Sequence, residues 1–278
     1  MSLVYLNGEY LPLNEARVSV LDRGFTFGDG VYEVLPVYNH HIFRFDQHLE
    51  RLGNSLAAIH MENPLSKNKW QEILITLIED SQDNDQSIYI QVTRGVSDRD
   101  HTININGSPT VFAMCKPIIK DDLSSGIKAI TCDDIRWKLC YIKAITLLPS
   151  VLLRHEAAER GATEAILVKD NIVTEGAASN VFIVKDNIVR TPPKDGNILP
   201  GITRDLVVEL LNKENIKCIE TRVMKNDLFD ADEIWITSST WEIVPVIELD
   251  GQPVGSHRPG KVWKKSIAIY QQFKEKLS

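Results

Sequence analysis

Residues 3–13 read LVYLNGEYLPL, two short apolar runs meeting at Asn7-Gly8. That dipeptide tolerates the positive φ angles of a two-residue turn, so the stretch reads as a β-hairpin. The pattern recurs along the chain. ARVSVL (16–21) reads as a strand, and VYEVLPVYNHHIFRF (31–45) doubles back around a turn near Asn39. SIYIQVTRG, TVFAMCK, IKAITC and EAILVK follow, then two hairpins, at 171–174 and 187–190, around SNVFIV, and a buried strand at IWITSS. Helices are fewer. Asp46 reads as the N-cap of a helix to about His60, with Leu49, Leu52, Leu56 and Ala57 on one face. Others are expected over Lys67–Asp80, over Ser150–Arg160, in GITRDLVVELLNKEN and in VWKKSIAIYQQFKEKL. Hairpin-linked strands that outnumber the helices favour an α+β fold over a doubly wound sheet.

Between Pro117 and Gly126 the composition turns charged and small (PIIKDDLSSG), which suits a linker. The expected organisation is a small N-terminal α/β domain over 1–118, a linker over 119–126 and a larger, β-rich α+β domain over 127–278. With 278 residues, 43% of them hydrophobic, the chain can fill two cores. Its net charge of −7 is interspersed and no basic stripe stands out, which argues against nucleic acid. The first residues lack a signal-peptide pattern and no apolar run reaches the ~20 residues of a membrane span, so the expectation is a cytoplasmic protein without a membrane partner. Cys115, Cys132, Cys140 and Cys218 are isolated, which suits buried free thiols in a reducing compartment. No metal site is expected, because the histidines pair only as His40-His41 and no HExxH occurs. GxGxxG and GxxxxGK[ST] are absent too.

Four places carry chemistry. Lys143 stands in LCYIKAITLL, a run with no other charge. Lost hydration lowers an amine's pKa and leaves more of the neutral form that attacks carbonyls. A lysine that buries its stem and snorkels its head to water fits the same residues. In LPGITRDLVVELL a helix start exposes N–H groups and a positive dipole end at Gly201-Ile202-Thr203, an anion site or simply a start signal. Glu175 in IVTEGAASNVF is read in a turn between two hairpin strands, and the small residues after it leave room for a flat ligand beside the carboxylate; an acidic turn residue in water is the alternative. TRGVSDRDH offers Arg94, Arg99 and His101 for a carboxylate, or a solvated loop paired with Asp98 and Asp100.

These stretches occur in a familiar order. DRGFTFGDGVYEV (22–34), HLERL (48–52), DIRWKLCYIKAITLL, VTEGAASNVF, LPGITR and ITSSTWEIVPV (236–246) together resemble the fold-type-IV pyridoxal-phosphate enzymes over nearly the whole chain. The wording is most similar to the D-amino-acid aminotransferase branch, through DGVYEV, SDRDH, DDIRW and TSSTWEIVPVIELDG. The resemblance implies a two-domain α+β enzyme with pyridoxal 5′-phosphate as cofactor. Lys143 would form the Schiff base, and Glu175 would pair with the pyridine nitrogen so that the ring can accept electrons. The phosphate would rest on Arg51, on the backbone of Ile202 and Thr203, and on Ser239. Tyr32, with Arg99 and His101 reaching in from the partner of a homodimer, would hold the substrate carboxylate.

The implied reaction is ping-pong transamination between a D-amino acid such as D-alanine and a 2-keto acid, 2-oxoglutarate or pyruvate. Aminodeoxychorismate lyases and branched-chain L-amino-acid aminotransferases share the fold and are the alternatives; a binding protein without turnover is a third. Ala178, Thr146 and Trp241 depart from the branch's usual residues, which bears on substrate range more than on the cofactor.

Overall fold

The computed structural model describes residues 2–103, 107–119 and 122–276. Lys120 and Asp121 of the expected linker lie outside the described residues. The chain divides into two compact units. One runs to Ile119 and also takes in Ile142–Thr146; the other holds the residues up to Tyr141 and from Leu147 onward.

The first unit contains β1 (Leu3–Leu6), β2 (Glu9–Pro12), a short α1 (Arg23–Phe27), β3 (Gly30–Tyr38), β4 (His41–Ile42), α2 (Phe45–Ala58), α3 (Lys67–Glu79), β5 (Gln86–Thr93) and β6 (Thr110–Pro117). Among the described residues these strands form one antiparallel sheet in the order β2-β1-β6-β5-β3-β4. The turns behave as their residues dictate: Asn7 and Gly8 take φ of 50° and 103°, Asn39 and His40 φ of 47° and 64°. Leu52 and Leu56 of α2 and Trp70, Ile73 and Leu77 of α3 pack on Leu35, Ile88, Ile90 and Val92 of the sheet.

Two local expectations differ from the structure. ARVSVL forms no strand, and Val18 and Val20 are exposed. A strand needs a partner for its backbone groups, and here Ser19 takes them up in a turn, accepting from the N–H groups of Leu21 and Asp22. The cap of α2 is Arg44, at φ 51°, while Asp46 lies in the first turn, where the helix dipole favours an acid.

The Ile142–Thr146 segment belongs with this sheet although it lies beyond the expected linker. Ala144 bridges Val31, the Tyr32 N–H donates to the Lys143 carbonyl at 2.9 Å, and the Ile145 N–H donates to the Gly30 carbonyl at 3.1 Å. Ile142 and Ala144 are buried in the same apolar core.

The second unit contains β7 (Ile127–Asp133), α4 (Leu148–Glu159), β8 (Glu164–Lys169), β9 (Ile172–Gly176), β10 (Asn180–Lys185), β11 (Ile188–Thr191), α5 (Ile202–Lys213), β12 (Cys218–Glu220), β13 (Val223–Met224), α6 (Lys225–Phe229), β14 (Glu233–Ser238), β15 (Glu242–Leu249), β16 (Gln252–Pro253) and α7 (Lys261–Glu275). Its sheet runs β12-β11-β10-β14-β15-β7-β8-β9-β13, with β16 beside β15. It is mixed: β7 lies parallel to β8 and β15, and β11 parallel to β12. Asp170-Asn171, Asp186-Asn187 and Asp250-Gly251, all at positive φ, make tight hairpin turns in it. Leu153 and Ala157 of α4 pack on Ile130, Ala165 and Leu167, while Ile166, Val181, Ile234 and Val244 belong to a second core. The α+β architecture agrees with the expectation.

Candidate active site

In the first unit, Lys143 is half-buried and its Nζ lies 4.3 Å from the centroid of the Tyr32 ring. Tyr32 in turn stacks on Tyr89, centroids 5.8 Å apart. The segment alternates as a strand does: Ile142 and Ala144 face the core, so Lys143 faces away from it. The rest of its apolar run is not a dry shell, because Leu139, Tyr141 and Leu148 are exposed. What holds Lys143 is its backbone, whose N–H donates to Ser55 Oγ of α2 at 3.2 Å.

Arg51 lies one turn earlier on α2, in a buried polar cluster. Its Nε and Nη2 donate to the two oxygens of Glu33 at 2.7 and 2.9 Å, and His48 Nδ1 approaches Glu33 Oε2 at 2.8 Å. Burial alone would raise the Glu33 carboxyl; Arg51 and His48 outweigh it and hold the group well below the usual carboxylate range. Burial lowers His48, so its imidazole is neutral near pH 7.

In the second unit, Glu175 lies within β9 and not in a turn, and it is buried. Its carboxylate receives the Arg136 guanidinium, the Asn180 amide at 2.9 Å and the Leu199 N–H at 3.0 Å. Arg136 is also held by Asp134, Nη2 to Oδ2 at 2.8 Å. Burial raises Glu175 from the ordinary 4.5 to about 7 even though Arg136 opposes the shift. Asn180 also donates to the Leu199 carbonyl at 2.9 Å, which ties Glu175 to the loop that starts α5. A Cβ on Gly201 would collide with the Asn180 amide oxygen, so the loop needs glycine there. Ile202 and Thr203 are buried at the first turn of α5, where helix geometry leaves their N–H groups without intrahelical partners. Thr203 Oγ1 donates to the Ser238 carbonyl at 3.2 Å, which brings the half-buried Ser239 to the same helix end. Glu175 is thus linked through Asn180 and Leu199 to the loop before Ile202 and Thr203, a carboxylate at one end and the free N–H groups of a helix start at the other, with Ser239 next in the chain to Ser238.

Arg99 and His101 are exposed and share one aromatic neighbour. The Arg99 guanidinium carbon lies 5.3 Å from the centroid of the Phe27 ring, and the His101 ring lies 5.3 Å from it. Arg94, weighed with them from sequence, is instead buried on Asp29, at 2.8 and 3.0 Å.

The profile of the family described as Amino-transferase class IV matches residues 30–249. The chain belongs to that family. Among curated relatives of this class IV aminotransferase, a D-alanine aminotransferase of Bacillus licheniformis is 41% identical over 263 residues, covering 94% of this chain and 93% of the relative. Another, of Staphylococcus haemolyticus, is 36% identical over the full length of both chains. Among solved structures, the branched-chain amino acid aminotransferase of Escherichia coli superposes with a TM-score of 0.88 at 28% identity, covering 98% of this chain and 93% of that one. The branched-chain aminotransferase of Thermoproteus uzoniensis gives 0.87 at 27%, covering 97% and 93%.

Several groups of this class IV aminotransferase had no role assigned from sequence. Glu33 was detectable in principle, as an acid in the otherwise apolar strand VYEVLPV, a pattern that calls for a buried partner. Arg136 and Asp134 stand two apart in DDIRW, but nothing local says that Arg136 meets an acid 39 residues on. Of the three departures, Ala178 and Thr146 are exposed, whereas Trp241 is half-buried with the Arg154 guanidinium 4.9 Å from its ring centroid.

The raised Glu175 carboxyl makes a pH prediction. A folded value above the unfolded one stabilises the protein below about 4.5, and that stability is lost as pH rises to about 7. In the cofactor-free protein, Glu175→Gln should remove this part of the pH slope. Denaturant titrations of both proteins at pH 4.5 and 7.5 measure it, and identical slopes would refute it.

Proposed function

We propose that this class IV aminotransferase moves the amino group of a D-amino acid, D-alanine foremost, to a 2-keto acid such as 2-oxoglutarate or pyruvate, with pyridoxal 5′-phosphate as cofactor. The observation that carries the reading is the Arg99–His101 pair gathered on Phe27, two cationic or hydrogen-bonding groups on one exposed loop, suited to a carboxylate. Full-length likeness to D-alanine aminotransferases supports it.

The donor set fits the cofactor. A buried acid near neutrality suits a protonated ring nitrogen, and the start of α5 with Ser239 suits a phosphate. In the first unit, Arg51, whose charge Glu33 partly balances, is a cation suited to phosphate, and Lys143 would supply the amine that links to the cofactor aldehyde. When bound, pyridoxal phosphate offers an aldehyde for the substrate amine and a ring that takes up electrons as the α C–H bond breaks. The chain's own part is to position and to move protons. Lys143 Nζ takes the α-proton and returns it on the other side of the reaction, acting as base and then acid. Tyr32 flanks that amine, and Ser55 fixes the backbone behind it. Glu175 holds or shares a proton at its carboxylate, with Arg136, Asn180 and the Leu199 N–H keeping it in place.

Exposed apolar side chains support a homodimer: Val20 and Phe25 in the first unit, and Trp137, Leu148, Val151 and Leu152 in the second, the last three on one face of α4. In such a dimer Arg99 and His101 serve the partner's pocket. Cytoplasmic residence completes the reading, supported by four free cysteines; no helix among the described residues is long and apolar enough to cross a membrane.

The purified protein should sediment as a dimer and form pyruvate from D-alanine and 2-oxoglutarate, with no turnover of L-leucine. The branched-chain reading has the fold likeness in its favour, and turnover of L-leucine without D-alanine would establish it instead. Pyruvate released from aminodeoxychorismate with no keto acid present would point to the lyase.

A further inference from the structure

Phe27 closes α1, and three groups gather on its ring. Arg99 and His101 are two of them; the third is Arg23, its guanidinium carbon 4.7 Å from the ring centroid. Arg23 does more than stack. Its Nη1 donates to the carbonyl of Asp100 at 2.7 Å and reaches that of Thr102 at 3.4 Å, so it grips the backbone on both sides of His101. Its Nε donates to Asp29 Oδ2 at 2.8 Å.

The same Asp29 oxygen accepts from Arg94 Nε at 2.8 Å, and Oδ1 accepts from Arg94 Nη2 at 3.0 Å. Arg94 is anchored in turn on the Ile59 carbonyl at 2.6 Å. One carboxylate therefore holds two guanidinium groups together, one tied to the body of the unit and one to the loop. Burial disfavours the ionised Asp29, but the two arginines outweigh it and keep its carboxyl below the usual range. Further along, the Asp100 carboxylate accepts the Thr102 N–H at 2.6 Å and tightens the turn around His101.

We infer that Asp29 and Phe27, acting with Arg23, are positioning residues that present Arg99 and His101 as a preformed carboxylate clamp. Asp29 sets Arg23, Arg23 sets the loop backbone, and the Phe27 ring sets the spacing of the two side chains. The inference rests on the proposal that this pair receives the substrate carboxylate. Affinity for the carboxylate should then depend on Asp29 and Phe27, which need never touch the substrate, while proton transfer at Lys143 should not.

Asp29→Asn removes the charge that keeps two like-charged arginines side by side, and Phe27→Leu removes the ring but leaves the ion pairs. Propionate, a carboxylate with no amine to react, is titrated calorimetrically into the cofactor-loaded protein, and kcat and KM for D-alanine are measured in parallel. For Asp29→Asn the propionate Kd and the D-alanine KM should both rise about tenfold, the scale of a weakened charge-assisted contact. Kcat should stay within about twofold of wild type, because the groups that move protons are untouched. Phe27→Leu should shift Kd and KM the same way, and it decides the matter if Asp29→Asn does not fold. Wild-type protein that does not bind propionate, variants that bind it as wild type does, or a fall in kcat at constant KM would each overturn the inference. If propionate affinity shifts as stated but wild type does not turn over D-alanine, the proposed function fails and the clamp stands.

Discussion

Lys143→Ala should cut turnover of D-alanine roughly ten-thousandfold, the upper range of what a positioned general base contributes, and more if its covalent role adds to this. The substitution should leave folding nearly intact. Lys143 is half-buried, its side chain faces away from the core, and its backbone bonds to Ser55 and Tyr32 do not need the amine. Retained thermal stability together with lost turnover is therefore the expected pair of results. The cofactor should also become removable by desalting, since the remaining contacts are non-covalent. A variant that keeps substantial turnover would show that another group moves the α-proton.

Glu33→Gln should have the largest effect on stability, about 3–5 kcal/mol, the scale for removing one partner of a buried ion pair. The isostere preserves shape but leaves the Arg51 guanidinium buried against a neutral amide. Glu33 is fully buried and receives Arg51 twice and His48 once, so little water can replace the lost charge. Its pH signature follows from a folded value below the ordinary one. The stability it provides is present above about 4.5 and lost as pH falls towards the folded value. Denaturant unfolding at pH 7 should show the destabilisation. Between pH 5 and 3 wild type should lose stability that the variant never had. A change under 1 kcal/mol at pH 7 would mean that Arg51 finds another counter-charge.

Much of the fold could be read directly. The Asn7-Gly8 turn and the turn near Asn39 were legible because positive φ at these residues is a local property. The helices α3, α5 and α7 follow their apolar spacing for the same reason. ARVSVL carried the same kind of signal and failed, since a strand is completed only by a neighbour and none among the described residues pairs with it. Site residues divide likewise. Lys143, Glu175 and Thr203 were picked out by local context and motif order. Arg136 and Glu33 went unassigned because their chemistry depends on partners 39 and 18 residues away.

The contrast is sharpest in the segment around Lys143. Its apolar run suggested a lysine kept dry by its neighbours, but Leu139, Tyr141 and Leu148 are exposed. Sequence by itself determined several turns and the longer helices, because those depend on bonds and spacings within a few residues. Only the tertiary structure decided that residues 142–146 join the first unit's sheet beside Tyr32, and that one aspartate holds two arginines behind the Arg99–His101 loop. Ion pairs and strand pairing over such distances gain their free energy only once the intervening chain has folded, so no local pattern records them.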